Sequence, residues 1–312
     1  MSSETNDCRL IPELSDLPNE VLCEIAAKLN LKSRLNLRKA SQRFRQVVDL
    51  PASHIKSLSI RINCGFLQFQ LDDVSYICYQ SDSDNCRVDC SGSQGPTTTQ
   101  ISGNYLEIAL NDLATLLQPA SVRIEDLSFE IHVSASLETS QRVIEVFHSR
   151  KRQIQAKSVS MSVTTSDQVL SILSALKPEY LESIRVHTPQ SENLTDIVKT
   201  DQFRKARKVE VSCFIDSAIL HHFCHLNSFV IYRVSIVADD IIRVRDQLLL
   251  SKNFKNCRIL FHHPLNPTEI RRALGLRGAE GSFLSELYQV PSGGFLLQEI
   301  SMRGYISFTW IH

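Results

Sequence analysis

The run His221-His222-Phe223-Cys224-His225 comes closest in residue type to metal chemistry. His221 and His225 stand four apart, one helical turn, and could share an ion. His222 points about 100° away from His221 on a helix, and only Cys213 offers a further nearby ligand. The run therefore reads as a polar helix face anchored by Phe223. Cys86-x-x-x-Cys90, with Cys64 and Cys78, is the other metal candidate, but it lacks the tight C-x-x-C pair of a structural zinc ribbon and reads as free thiols. Gly275, Gly278 and Gly281 are evenly spaced, yet no Lys-Ser/Thr follows, so they read as loop glycines. The chain has 10 glycines and none from Asn104 to Leu274, which excludes a Gly-rich phosphate loop or dinucleotide fingerprint there. His262-His263, just before Pro264, marks a strand end. With no Ser elbow, no H-E-x-x-H and no paired helical carboxylates, no catalytic, cofactor-binding or metal residue is assigned.

The bulk properties agree with a non-enzymatic reading. The chain has 312 residues, 34 Lys plus Arg against 34 Asp plus Glu, and 43% hydrophobic residues. Zero net charge argues against a whole-molecule binder of nucleic acid or anionic membrane. Met1 to Asp7 is polar, without the apolar core of a signal peptide, and no apolar run approaches the roughly 18 residues of a membrane span. With 9 cysteines, an odd number, the expectation is a reducing compartment, cytoplasm or nucleus, with thiols rather than disulfides.

Several elements must carry these residues. Leu17 to Asp49 reads as three short helices. Pro18 opens the first, and Val21, Leu22, Ile25, Ala26 and Leu29 form its apolar face. Ser33 is an N-cap candidate for the second, with Leu35, Leu37 and Ala40, and Ser41 for the third, with Phe44, Val47 and Val48. So short a segment cannot bury all of this apolar surface alone. Between Glu24 and Asp49 the only charges are seven positive ones, Lys28, Lys32, Arg34, Arg38, Lys39, Arg43 and Arg45. They fit either a solvated face or an acidic partner; Phe44 is the one aromatic among them, so base stacking is unsupported. From Ile55 the period changes to two, and Ile55–Ile62, Leu67–Leu71 and Val74–Tyr79 read as an antiparallel meander. Ser81 to Gln100, rich in Ser, Asp, Gly and Thr, is expected to be a long mobile loop.

Beyond it a strand signature, apolar-x-x-apolar-x-apolar, recurs. Its central residues are Leu127, Val159, Ile184, Val209, Phe229 and Cys257, with Leu58 as an upstream outlier. Helical patterns lie between them at Leu137–Phe147, Val169–Leu176, Leu194–Phe203, Ile215–Phe223 and Ile241–Leu249. Strands joined by single crossover helices are parallel. The period of 20 to 32 residues is similar to that of leucine-rich repeats, but His132, Thr164, Pro189, Phe214, Val234 and His262 replace the Asn or Cys that normally ties their turns. Packing is then expected to hold the turns. An open curved repeat sheet and a more globular α/β sheet both fit.

Leu17-Pro18-Asn19-Glu20-Val21-Leu22-Cys23-Glu24-Ile25, with Leu29, Leu35, Leu37-Arg38-Lys39-Ala40-Ser41 and Arg43-Phe44-Arg45, closely resembles an F-box; Ala40 stands where Val is usual. Leu176–Ile184, Asp201–Val209 and Phe254–Cys257 resemble the FTH domain that follows F-boxes in a large nematode family; Phe203 stands where Trp is common. The expected fold is α+β/α/β: a three-helix F-box, an irregular antiparallel meander, then a curved, leucine-rich-repeat-like β/α repeat domain. The expected division is a flexible N-terminus 1–14, F-box 15–51, meander and loop 52–104, FTH-like domain 105–263, and extension 264–312 with an apolar end that caps the last repeat. The resemblance implies a non-catalytic substrate receptor of a Skp–cullin–F-box ubiquitin ligase, without cofactor. Leu17, Pro18, Val21, Leu22, Ile25 and Leu29 would meet the Skp-family adaptor, and through it cullin, with Leu35, Leu37 and Phe44 shared between core and interface. The repeat domain would capture an unknown protein substrate, with no membrane partner and no direct nucleic-acid binding. The alternative is a non-degradative adaptor or scaffold, for example in RNA regulation.

Overall fold

The computed structural model describes residues 14, 17–29, 37, 41, 43–44, 54–72, 75–82, 85–91, 95–118, 122–150, 152–189, 194–261, 269, 272, 274–275, 283–289, 295–301 and 304–311. The chain divides into two compact units, 1–53 with 118–122, and 54–117 with 123–312. The first contains helix α1 (Asn19–Lys28). The second is a mixed α/β unit built on one large sheet.

Seven strands of that sheet are parallel neighbours: β1 (His54–Asn63), β6 (Arg123–Ile131), β7 (Gln155–Ser162), β8 (Ser183–His187), β9 (Lys208–Ser212), β11 (Ser228–Ser235) and β12 (Asn256–Phe261). Their register is the repeat itself. Leu58, Leu127, Val159, Ile184, Val209, Phe229 and Cys257 stand side by side across the sheet. Two residues on, Ile60, Phe129, Met161, Val186, Val211, Ile231 and Ile259 form a second row. All fourteen are at most 2% exposed. Side chains two apart share a face, so both rows fall on the same side of the sheet. The other side carries Asp126, Ser128, Ser160, Arg185 and Glu210, with Arg61–Glu130 and Arg185–Glu210 pairs at 2.7 and 3.0 Å.

The connections follow from local signals. Helix α3 (Leu137–His148) starts at Ser136, whose side chain accepts the Thr139 N–H. Helix α4 (Ser166–Ser174) starts at a capping box in which Thr165 and Gln168 satisfy each other's backbone N–H. Helix α6 (Ala238–Leu250) buries Ile241, Val244 and Leu248. Two expected helices are shorter. The stretch 194–203 becomes a 3-10 turn at Ile197–Lys199 and helix α5 (Asp201–Lys205), and 215–223 becomes the two-residue strand β10 (Ile215–Asp216) and a 3-10 helix at Ser217–Phe223. Packing alone does not hold the turns. Gln168, 4% exposed, donates to Ser140 Oγ at 3.1 Å, and Gln202, 7% exposed, donates to the Leu176 carbonyl at 2.9 Å. Each buried amide ties one connection to the preceding one.

Both ends of the parallel array continue as antiparallel strands. Beyond β1 come β2 (Phe66–Leu71), β3 (Ser75–Asp82), β4 (Asn85–Ser91) and β5 (Thr97–Ser102). Residues 85–91 and 97–102 therefore correct the expected loop at 81–100. Their polar composition hides an alternation in which Cys86 and Val88 point inward. Helix α2 (Tyr105–Leu117), not among the expected helices, lies against β2, β3 and β4. Its Leu106, Ala109, Leu110, Leu113, Leu116 and Leu117 had the right spacing to reveal it. Tyr79, 1% exposed, donates its hydroxyl to Asp112 of α2 at 2.7 Å. At the other end β12 pairs with β15 (Tyr305–Ile311), followed by β14 (Phe295–Ser301) and β13 (Phe283–Gln289).

Ile306 and Phe308, both 0% exposed, extend the two apolar rows by pairing with Ile259 and Cys257. A chain ending at residue 303 should lose at least about 3 kcal/mol, from these two side chains alone. Urea denaturation should show a lower midpoint or an insoluble product; an unchanged midpoint would contradict the assigned role of β15.

Candidate functional site

Helix α1 begins at Pro18, whose extended ψ of 151° and missing N–H suit a helix start. Glu20 in the first turn and Lys28 in the last complement the helix dipole. Leu22, Ala26 and Phe44 form a small core, 0%, 1% and 9% exposed, with Leu17, Cys23 and Leu37 packed beside it. Phe44 is fixed by its N–H, which donates to Ser41 Oγ at 3.1 Å. Arg43 closes the unit: its Nε donates to Asn19 Oδ1 at 3.0 Å and a terminal nitrogen to the Leu17 carbonyl at 2.7 Å. This cation of the basic run thus clamps the start of α1.

The apolar surface of α1 is wider than this core. At about 100° per residue, Val21, Ile25, Pro18, Leu29, Leu22, Ala26 and Cys23 span an arc of roughly 200°. Leu22 and Ala26 sit at its buried centre. On one flank Pro18 and Val21 are exposed, Val21 at 40%, and Ile25 and Leu29 are half-buried. Leu14, just upstream, is 43% exposed. Of the residues expected to meet an adaptor, the structure thus gathers Pro18, Val21, Ile25 and Leu29 on one flank and puts Leu22 inside. Phe44 is buried and Leu17 and Leu37 are half-buried, while Leu35 lies outside the described residues.

Of the histidines in the 221–225 run, His221 and His225 face backbone carbonyls. His225 turns one ring nitrogen to the His222 carbonyl at 2.7 Å and the other to the Phe203 carbonyl at 3.3 Å. His221 contacts the Ala218 carbonyl at 2.8 Å and its ring lies 3.9 Å from that of His222. Burial, and then the positive neighbours His221 and Arg204, hold His222 below the ordinary imidazole range. Among the described residues no group of three or more His, Cys, Asp or Glu is placed to hold a metal. No described helix is long and apolar enough to cross a membrane. A cleft of about 610 Å³ opens where β9, β10 and β11 end and α6 begins, lined by Leu194, Ile215, Asp216, Ile236, Val237 and Asp240 among others.

Residues 14–56 match the F-box domain and residues 138–277 match the FTH domain. F-box A protein 224 of Caenorhabditis elegans is 23% identical over 272 residues, covering 83% of this chain and 69% of that protein. The chain thus matches an F-box followed by an FTH domain and is similar to a nematode F-box protein.

Two tests follow from these side chains. Leu22→Ala should destabilise the F-box unit by about 2–5 kcal/mol, whereas Val21→Ser should cost less than about 1 kcal/mol, both read from the unfolding midpoint of this unit. The second concerns pH. Burial pushes the Cys224 thiol up to about 12 and raises that of Cys257. Both stay protonated in the fold but ionise near pH 9 when unfolded, so unfolding releases their protons above that pH. Stability should be complete below pH 9 and fall as the pH rises toward 12. The double variant Cys224→Ala/Cys257→Ala should show a smaller fall in urea midpoint between pH 8 and 10.5 than the parent. Exposed Cys64 should be alkylated well before either.

Proposed function

We propose that this protein is a substrate-receptor subunit of a Skp–cullin–F-box ubiquitin ligase. The observation that carries the reading is the flank of α1 on which Pro18 and Val21 remain exposed beside half-buried Ile25 and Leu29. An F-box is a docking element for a Skp-type adaptor, and an apolar stripe left open on a short helix is what such docking buries. Leu22 and Phe44 support the stripe from within rather than touching the adaptor. The chain transfers nothing itself. It raises the local concentration of substrate lysines near a charged conjugating enzyme.

In this reading the parallel ladders form a solenoid-like repeat array, similar to leucine-rich repeats, that displays a protein substrate. Each repeat buries its apolar face only against its neighbours, so the ends need covering. The antiparallel strands β2–β5 and β13–β15 serve as those covers.

Co-purification with a Skp-family adaptor tests the docking. Pro18→Ala/Val21→Asp changes exposed positions only and should weaken adaptor binding at least about 100-fold with unaltered circular dichroism, because an aspartate would be buried without a partner. Wild-type binding retained by this variant would sink the reading. Adaptor binding with no change in the lifetime of a captured partner when the adaptor is depleted would favour a non-degradative scaffold.

A further inference from the structure

The two rims of the sheet differ. At one rim, β13 carries Glu286 in mid-strand, and the Arg245 guanidinium of α6 lies 5.5 Å from the ring of Tyr288. A charge within an edge strand and a side chain laid over it are ordinary protections against unwanted strand pairing. At the other rim, β5 is Thr97-Thr98-Thr99-Gln100-Ile101-Ser102, with all six residues exposed and neither charge nor proline within the strand. Pro96 precedes it and Gly103, at a φ of 124°, ends it. Among the described residues β5 pairs with β4 alone, so every second N–H and C=O along it faces outward.

The two faces of this strand are unlike. Thr97, Thr99 and Ile101 stand opposite Cys90, Val88 and Cys86, on the face whose inner part is buried. Thr98, Gln100 and Ser102 stand opposite Asp89, Arg87 and Asn85, and Thr98 and Gln100 already bond Asp89 and Asp82. The first face is β-branched throughout and continuous with the apolar underside of β4; the second is polar.

We propose that β5 is a strand-addition site that takes an extended peptide segment, β-branched or apolar at alternate residues on one face and polar on the other. Backbone pairing supplies affinity, and the contact of Thr97, Thr99 and Ile101 with the incoming alternate residues supplies selectivity. A second copy of this chain is the weaker occupant. A six-residue strand is about 20 Å long and a sheet about 10 Å thick, so edge-to-edge pairing covers on the order of 400 Å² in total. That is well below the roughly 1,200 Å² of a stable interface. The site is independent of the F-box and stands whether or not an adaptor binds.

The probe is the capped hexapeptide Val-Thr-Val-Thr-Val-Thr, with a control N-methylated at alternate residues so that it cannot pair. Hydrogen exchange is measured on the full chain. The unmodified peptide at millimolar concentration should slow exchange of alternate amides within 97–102 by about tenfold, and the methylated control should not. Ile101→Lys, a substitution at an exposed side chain, should reduce the protection without changing exchange in β6–β9. No slowing, or equal slowing by both peptides, overturns the proposal. Slowing that depends on protein concentration without peptide overturns it in favour of self-association.

Discussion

Everything in the larger unit depends on one constraint: the parallel strands must align the same two apolar positions. Leu58, Leu127, Val159, Ile184, Val209, Phe229 and Cys257 form one unbroken row, and the row two residues on is equally buried. A slip of one residue in any pairing would turn both rows of that strand to the polar side. The apolar pattern therefore fixes the register, and the register fixes where each connection leaves and returns. Phe147 packs on Phe129 with ring centroids 5.1 Å apart, and Phe203, Phe223 and Phe229 form a chain at 5.2 and 5.7 Å. These aromatic contacts seat the connecting segments on the rows.

The connections are unequal in length and kind, which an apolar pattern alone does not prevent from sliding. Gln168 and Gln202 supply directional ties inside the layer of connections. A buried amide satisfied at one place is costly to leave unsatisfied anywhere else. The surface pairs Arg61–Glu130 and Arg185–Glu210 add little by comparison, since exposed ion pairs contribute at most about 1 kcal/mol.

The F-box unit meets the opposite constraint. It holds too few residues to bury a broad apolar arc, so its helix is divided along its length. Leu22 and Ala26 close a small core with Phe44, and the flank bearing Pro18 and Val21 stays open. Arg43 holds the start of the helix in place through Asn19 and the Leu17 carbonyl, which presents the open flank on a fixed element. A rigid flank loses less conformational freedom on binding than a mobile one.

The sequence by itself carried the resemblance to an F-box and an FTH domain, the parallel strands and the residue at the centre of each. Those depend on residue types at fixed spacing, and strand periodicity of two survives any tertiary context that buries one face. It also carried α2 in full view, as Leu106, Ala109, Leu110, Leu113 and Leu116 attest. The tertiary structure decided the rest. Val21 and Leu22 are both apolar on one helix, and only the position of Phe44 makes one core and the other surface. Residues 85–91 and 97–102 have the composition of a loop and become strands because β3 offers β4 an edge and β4 then offers one to β5. His225, part of a metal-like run in the sequence, has its ring met by two carbonyls, one of them from Phe203 twenty-two residues away. In each case the deciding interaction is a pairing or contact between separate segments, which residue spacing within one segment cannot encode.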